Sequence, residues 1–356
     1  MLSKSFYSGL SLFSYLASIP LANAINCGEI NQRAQHQPES YLRTSNFPHK
    51  PAFAVQEIKN RRYNAEIPPP CEQAIRILTF NIQVHRDLWG ERDNNESIKL
   101  DLLKLKPAVA VFQKVILDEA QPQRKSFDLM LQSLGFRHIV MTRKFDQEAR
   151  IGNMIASVFP LARIVDLDLR YKRALVAVKV MLPPSHRQLK DLIVMGTHLE
   201  MSSATTRLWQ VARIDYLLKR HIRPNYSNII LCGDLNAEAR TSEIETLMAT
   251  SCLQDSFRAT DALRPSCTFW DGRSVDYILV SKSLVARLYG SYVYHTLSSD
   301  HLPLIVDIAS ATQYQRLDSR YWALFRLGVV SIEMLVALFA LGVVLRILVK
   351  PLKTSP

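Results

Sequence analysis

Residues 229–237 read Ile229-Ile230-Leu231-Cys232-Gly233-Asp234-Leu235-Asn236-Ala237. Three large aliphatic residues and a cysteine, followed by a glycine, an acid and an amide, describe a buried strand whose end opens into a polar turn. An α/β scaffold exposes chemistry at such ends, because the strand fixes the backbone while the loop frees the side chain. Asp234 and Asn236 are therefore candidate functional residues, although an Asx-turn would use the same pair for a purely local purpose.

Outward from this stretch the same arrangement recurs. Upstream stand Thr79-Phe80-Asn81-Ile82, then Val111-Phe112-Gln113-Lys114-Val115, then Gly196-Thr197-His198-Leu199-Glu200. Downstream come Ser274-Val275-Asp276-Tyr277-Ile278 and Ser299-Asp300-His301-Leu302-Pro303. Singly, each has an ordinary explanation: Asn81 ends a strand, His198 is a satisfied core histidine, Asp300 caps a turn. Together, carboxylates, amides and two histidines at strand ends are the inventory for holding a divalent cation and attacking a phosphorus centre.

Apolar runs at 75–82, 109–112, 155–158, 175–180, 192–197, 229–232, 275–280 and 302–306 predict strands. Helical patterns fall at 97–105, 124–134 and 205–221; the last carries Leu208, Val211, Ala212, Tyr216 and Leu217 on one apolar face. No repeat of fixed period and almost no linker-like composition interrupts them, so one α/β domain over 75–312 is expected. Residues 25–74 are rich in Gln, Asn, Arg and Pro, without periodicity, and read as an N-terminal arm.

Both ends of the chain are apolar. Lys4, an apolar stretch and the triplet Ala22-Asn23-Ala24 have the layout of a secretory signal peptide over 1–24. Residues 327–345 form an apolar run broken only by Ser331 and Glu333, long enough at ~1.5 Å per residue to cross a ~30 Å hydrocarbon layer. Residues 313–326 then form a basic stalk and 346–356 a short basic tail. With an exported N-terminus, the main domain is expected outside the cytoplasm and the tail inside. The net charge of +12 falls to about +7 once Lys4 and the six basic residues beyond position 315 are set aside with Asp318 and Glu333. That is a mild bias towards anionic partners and does not by itself indicate nucleic acid.

Five cysteines in an exported chain suggest two disulfides, Cys27 with Cys71 and Cys252 with Cys267, and a buried thiol at Cys232. Asn95-Glu96-Ser97 and Asn225-Tyr226-Ser227 are glycosylation sequons in a eukaryotic host.

From Ile75 to Val306 the ordered set of motifs resembles the endonuclease/exonuclease/phosphatase superfamily, which includes deoxyribonucleases, sphingomyelinases and inositol phosphatases. Between the motifs, Gly152-Asn153 ahead of Phe159-Pro160, and Arg207 with Gln210 after His198, strengthen the likeness. The resemblance implies a four-layered α/β sandwich of two mixed β-sheets flanked by helices, to which the sequence adds one C-terminal transmembrane helix. It implies Asn81 and Asp300 at a metal, Mg²⁺ in character. It implies Asp234 at the attacking water, Asn236 donating to the phosphorane, and His198 at the phosphoryl oxygens. His301 oriented by Asp276 completes the site.

Lys114 departs from that pattern, since the family places a metal-binding glutamate there. An ammonium supplies no oxygen ligand and repels the ion, a swing of ~4 kcal/mol per charge pair at 4 Å and an effective dielectric near 20. Mg²⁺ binding is thus in doubt. Three readings are open: a binding-only site with Lys114 paired to Asp300, Lys114 standing in for the metal, or rescue by Glu119. The expected function is a tethered, exported phosphoester hydrolase, a phosphodiesterase or phosphatase with lipid headgroups among its possible substrates. The alternatives are an impaired enzyme that binds a phosphorylated ligand and an exported nuclease. The nuclease would need Arg143, Lys144, Lys172 and Arg173 along its cleft, though charge runs of this kind also serve as ordinary solvated faces.

Overall fold

The computed structural model describes residues 67–70, 74–90, 92–143, 150–260 and 267–310. Its first sheet contains β1 (Ala74–Asn81), β2 (Val109–Ile116), β3 (His138–Met141), β4 (Ile151–Ser157), β11 (Leu288–Val293) and β12 (Leu304–Ala309), in the order β11-β12-β1-β2-β4-β3. The second contains β5 (Leu161–Asp168), β6 (Ala174–Val180), β7 (Leu192–His198), β8 (Ile229–Asp234), β9 (Leu253–Asp255) and β10 (Asp276–Ser281), ordered β5-β6-β7-β8-β10-β9. Each sheet is mixed. The β1–β2 and β7–β8 pairs are parallel, and the other pairs are antiparallel.

Inner strands read as continuous apolar runs because both of their faces are covered. Val109, Val111, Val176, Val178, Val194, Ile230, Ile278 and Val306 fill the space between the sheets. Helices α1 (Asn95–Leu105) and α2 (Pro122–Ser133) cover the outer face of the first sheet with Ile98, Leu102, Phe127 and Leu131. Helices α3 (Ala204–Leu217) and α4 (Ser242–Ser251) cover the second with Val211, Ile214, Ile244 and Leu247. The architecture is an α/β sandwich of two mixed sheets flanked by helices.

Two glycines set how closely the parts approach. A Cβ on Gly196 would lie 2.7 Å from Val111 Cγ1 on the facing sheet. Gly233 has φ +148°, and a Cβ there would fall 1.9 Å from the Thr197 carbonyl oxygen. Only glycine lets β8 lie against β7 at this point. The parallel register that results pairs His198 with Asp234.

Arg76 and Asp307, paired across β1 and β12, form a buried bidentate ion pair with both bonds at 2.7 Å. The remaining guanidinium donors reach the carbonyls of Leu105 and Pro68. A buried charge is tolerable when so fully satisfied.

Three sequence expectations are corrected or bounded here. Cys252 and Cys267 are not bonded to each other: Cys252 is an exposed free thiol in the left-handed residue that ends α4, and Cys267 is engaged in another disulfide. The Cys27–Cys71 pairing lies outside the described residues, and Cys232 is buried and free as expected. Asn95 is a poor glycan acceptor, since it is buried and its amide bonds His85 Nδ1 and the Gln123 carbonyl, whereas Asn225 is exposed. No helix among the described residues is long and apolar enough to cross a membrane. The segments 1–24, 25–66, 313–326, 327–345 and 346–356 lie outside them.

Candidate active site

The two parallel strand pairs end on the same polar cluster. Asn81 closes β1, and its Nδ2 donates to Asp234 Oδ2 at 2.9 Å, across from β8. His301, in the loop before β12, donates from Nδ1 to Asp276 Oδ2 at 2.9 Å. Its Nε2 faces Asn81 Nδ2 at 3.2 Å and Asp234 Oδ2 at 3.7 Å. When neutral, Nε2 accepts from the amide; when protonated, it donates to the carboxylate. Phe269 packs its ring 4.5 Å from the imidazole, and Thr268 Oγ1 accepts the Asp276 backbone N–H. All four polar side chains are buried.

His198 lies on the other side of Asp234, with Nε2 3.3 Å from Oδ2. Arg173 Nη1 is 3.0 Å from His198 Nδ1. A guanidinium only donates, so Nδ1 accepts from it and Nε2 carries the proton towards Asp234. Both nitrogens of His198 thus have partners within this cluster, Arg173 on one side and Asp234 on the other. Asn236, with φ +49°, spends one Nδ2 proton on the Leu199 carbonyl at 3.0 Å, while its backbone N–H donates to Asp234 Oδ1. Asp300 sits beside the cluster: its backbone N–H donates to Gln83 Oε1, and its carboxylate accepts from Ser299 Oγ at 3.3 Å.

These environments move the titrations apart. Burial, joined by the positive charges of Arg173 and Lys114, pushes His198 well below the usual histidine range. Burial opposes the charge on His301, but Asp276 and Asp234 outweigh it and raise its pKa. Burial, reinforced by Asp276, raises Asp234 despite the pull of His301.

Lys114 is where strand rules are broken. Phe112 pairs with Met154 and Val115 with Gly152, so Gln113 and Lys114 together oppose Asn153 in a bulge. Lys114 takes the left-handed conformation, φ +58°, uncommon for a residue with a side chain. Gln113 is buried and bonded to Thr79, whereas Lys114 is half-buried and lines a cavity of about 220 Å³ with His198. It forms no ion pair among the described residues, so the anticipated partnership with Asp300 is not made. Glu119 is exposed in the turn after β2 and is not among the residues that line the cavity.

The strand-end residues are thus brought together as the motifs implied, with Asp300 at the margin. Arg173 was named only among the cleft bases a nuclease would need; its hold on His198 was not foreseen, though antiparallel β6–β7 pairing, Leu175 with Thr197, signals that the residues before β6 flank those after β7. Arg207 and Gln210 support the loop after His198, bonding the Glu200 carbonyl and backbone N–H respectively.

The sequence profile of the Endonuclease/Exonuclease/phosphatase family matches residues 78–301. The chain belongs to this family. Its members are phosphoric ester hydrolases that generally use a divalent metal. No curated protein matches the sequence significantly. Solved structures share the fold: an endonuclease/exonuclease/phosphatase from Beutenbergia cavernae is 19% identical over 67% of this chain and 72% of its own, with a TM-score of 0.54. The human Nocturnin catalytic domain is 19% identical over 67% and 93%, at 0.51. A Bacteroides thetaiotaomicron mannosyl-6-phosphatase is 14% identical over 65% and 98%, also at 0.51.

Against the family's metal, the donor set is telling. Asp234, Asp276 and His301 place one ligand atom each within 4.8 Å of the others. These atoms already serve one another and Asn81, His301 is held towards its cationic form, and Lys114 adds an ammonium to the same site. A hard cation wants several free carboxylate oxygens, so these residues do not fit Mg²⁺ held in the family manner.

Proposed function

We propose that this chain hydrolyses a phosphoester with Lys114 providing the fixed positive charge at the phosphoryl oxygens. The observation that carries this reading is the chain Asp276–His301–Asp234–His198, intact and buried beside a lysine that has no acidic partner among the described residues. Asp234 takes the proton of the attacking water, its basicity raised by burial. His301, kept charged by Asp276, delivers a proton to the leaving oxygen. Lys114 and Arg173 offset the charge that gathers on the equatorial oxygens. Tethering through 327–345 outside the cytoplasm, with lipid headgroups within reach, is part of the same proposal; it is supported by the apolar ends of the sequence alone.

The test is turnover of a nitrophenyl phosphomonoester and a bis-nitrophenyl phosphodiester by the full-length chain, with and without chelator. Turnover that survives chelation and falls ~10²–10³-fold in Lys114→Ala, the scale of removing one transition-state donor, is expected. An inert native chain that gains Mg²⁺-dependent turnover as Lys114→Glu would identify a disabled, ligand-binding site instead. Plasmid nicking with a steep salt dependence would favour the nuclease.

A further inference from the structure

The cavity beside His198 extends past the residues that the proposed reaction uses. Arg143, from the segment after β3, and Arg170 and Lys172, from the β5–β6 turn, line the same space as Lys114 and Arg173. Arg170, Tyr171 and Lys172 are three consecutive left-handed residues, at φ +56°, +51° and +59°. That tight turn brings two basic residues to the cavity wall. Asp168 also lines it, Asp166 pairs with Arg143, and Glu200 pairs with Arg173. Among the described residues these five cations outnumber the three carboxylates. At about 220 Å³ the space exceeds the need of a single phosphoryl group.

We infer that this cavity binds a second anionic group, of the phosphate monoester class, carried by the substrate next to the ester that is cleaved. Clustered positive charges in a concave site favour a polyanion and repel a cationic headgroup such as choline. Among the described lining residues no aromatic cage for a quaternary ammonium is formed: Tyr171 is exposed, and His198 is engaged with Arg173 and Asp234. The inference rests on the reading of the site as a phosphoester centre, but it concerns binding and survives without turnover.

Two measurements on the full-length chain separate the claims. Calorimetric titration with inositol bisphosphate and inositol monophosphate should show roughly tenfold tighter binding of the bisphosphate, the scale of one charge-assisted contact. Arg143→Ala and Lys172→Ala should each erode that ratio several-fold, while Arg287→Ala, remote from the cavity, should leave it alone. Equal affinity for the two ligands, or a ratio untouched by both variants, overturns the subsite whatever the catalytic result. A retained ratio in a chain without turnover upholds the subsite and sinks hydrolysis. Phosphatidylcholine vesicles with and without phosphatidylinositol bisphosphate then identify the source. Selective binding to the doped vesicles assigns a lipid headgroup, and binding of the soluble bisphosphate alone assigns a free phosphorylated polyol.

Discussion

Arg76 and Lys114 are cations on adjacent strands of one sheet, and the fold treats them in opposite ways. Arg76 is 1% exposed in regular strand geometry, locked to Asp307 by two bonds and to two carbonyls by the rest of its guanidinium. Lys114 sits in a bulge, in left-handed backbone, without an acid to meet it among the described residues. Structural charges are neutralised where they are buried, because the desolvation cost of an unpaired ion is several kcal/mol. A cation left over at a strained position, facing a cavity, is what a binding site needs and a core cannot tolerate.

The contrast is most sharply broken at Asp307. Asp307→Ala should lose ~3–5 kcal/mol in denaturant unfolding, because it strands a buried guanidinium, whereas the double change Arg76→Met with Asp307→Leu should lose far less. If the single variant loses less than about 1 kcal/mol, Arg76 is not the anchored structural charge described.

Asp101 lies between the two extremes, a buried carboxylate held by the hydroxyls of Thr296 and Ser298. Burial pushes its pKa up to about 6, above the usual carboxylate range. The protonated form is the one the fold prefers. Its contribution is therefore full below pH 4 and is lost as pH rises through 6, an effect of up to about 3 kcal/mol. Asp101→Asn should flatten stability measured between pH 4 and 7; an unchanged slope in the variant would assign the pH dependence elsewhere.

The smallest effect on stability is at Lys114 itself. Lys114→Gly relieves the left-handed backbone and removes no ion pair among the described residues, so stability should rise by up to ~1 kcal/mol while turnover falls. A clear loss of stability would mean that the lysine is bound within the fold after all.

Eight strands were legible in the amino-acid sequence, and they are the eight inner strands of the two sheets. The four unread ones, β3, β5, β9 and β11, are the four edges. An edge strand such as Leu161–Asp168 is covered on fewer sides, so its sequence mixes Arg163, Asp166 and Asp168 with aliphatic residues and shows no clear run. Helix α4 escaped for a similar reason, with Glu243 and Glu245 in its first turn and only Ile244 and Leu247 as large buried residues.

The site divides along the same line. Asn81, His198, Asp234, Asp276 and His301 could be named from the sequence, because strand-end position and residue chemistry are both local properties. Lys114 could be named as an anomaly for the same reason. What the sequence could not decide was its surroundings. That Asp300 leaves it unpaired, that Arg173 holds His198, and that Arg143 and Lys172 share its cavity depend on strand order, a bulge and a turn that bring distant segments together. The resident charge at position 114 was written in the chain; whether that charge meets an acid, a metal or a substrate phosphate is settled only by what the tertiary structure sets around it.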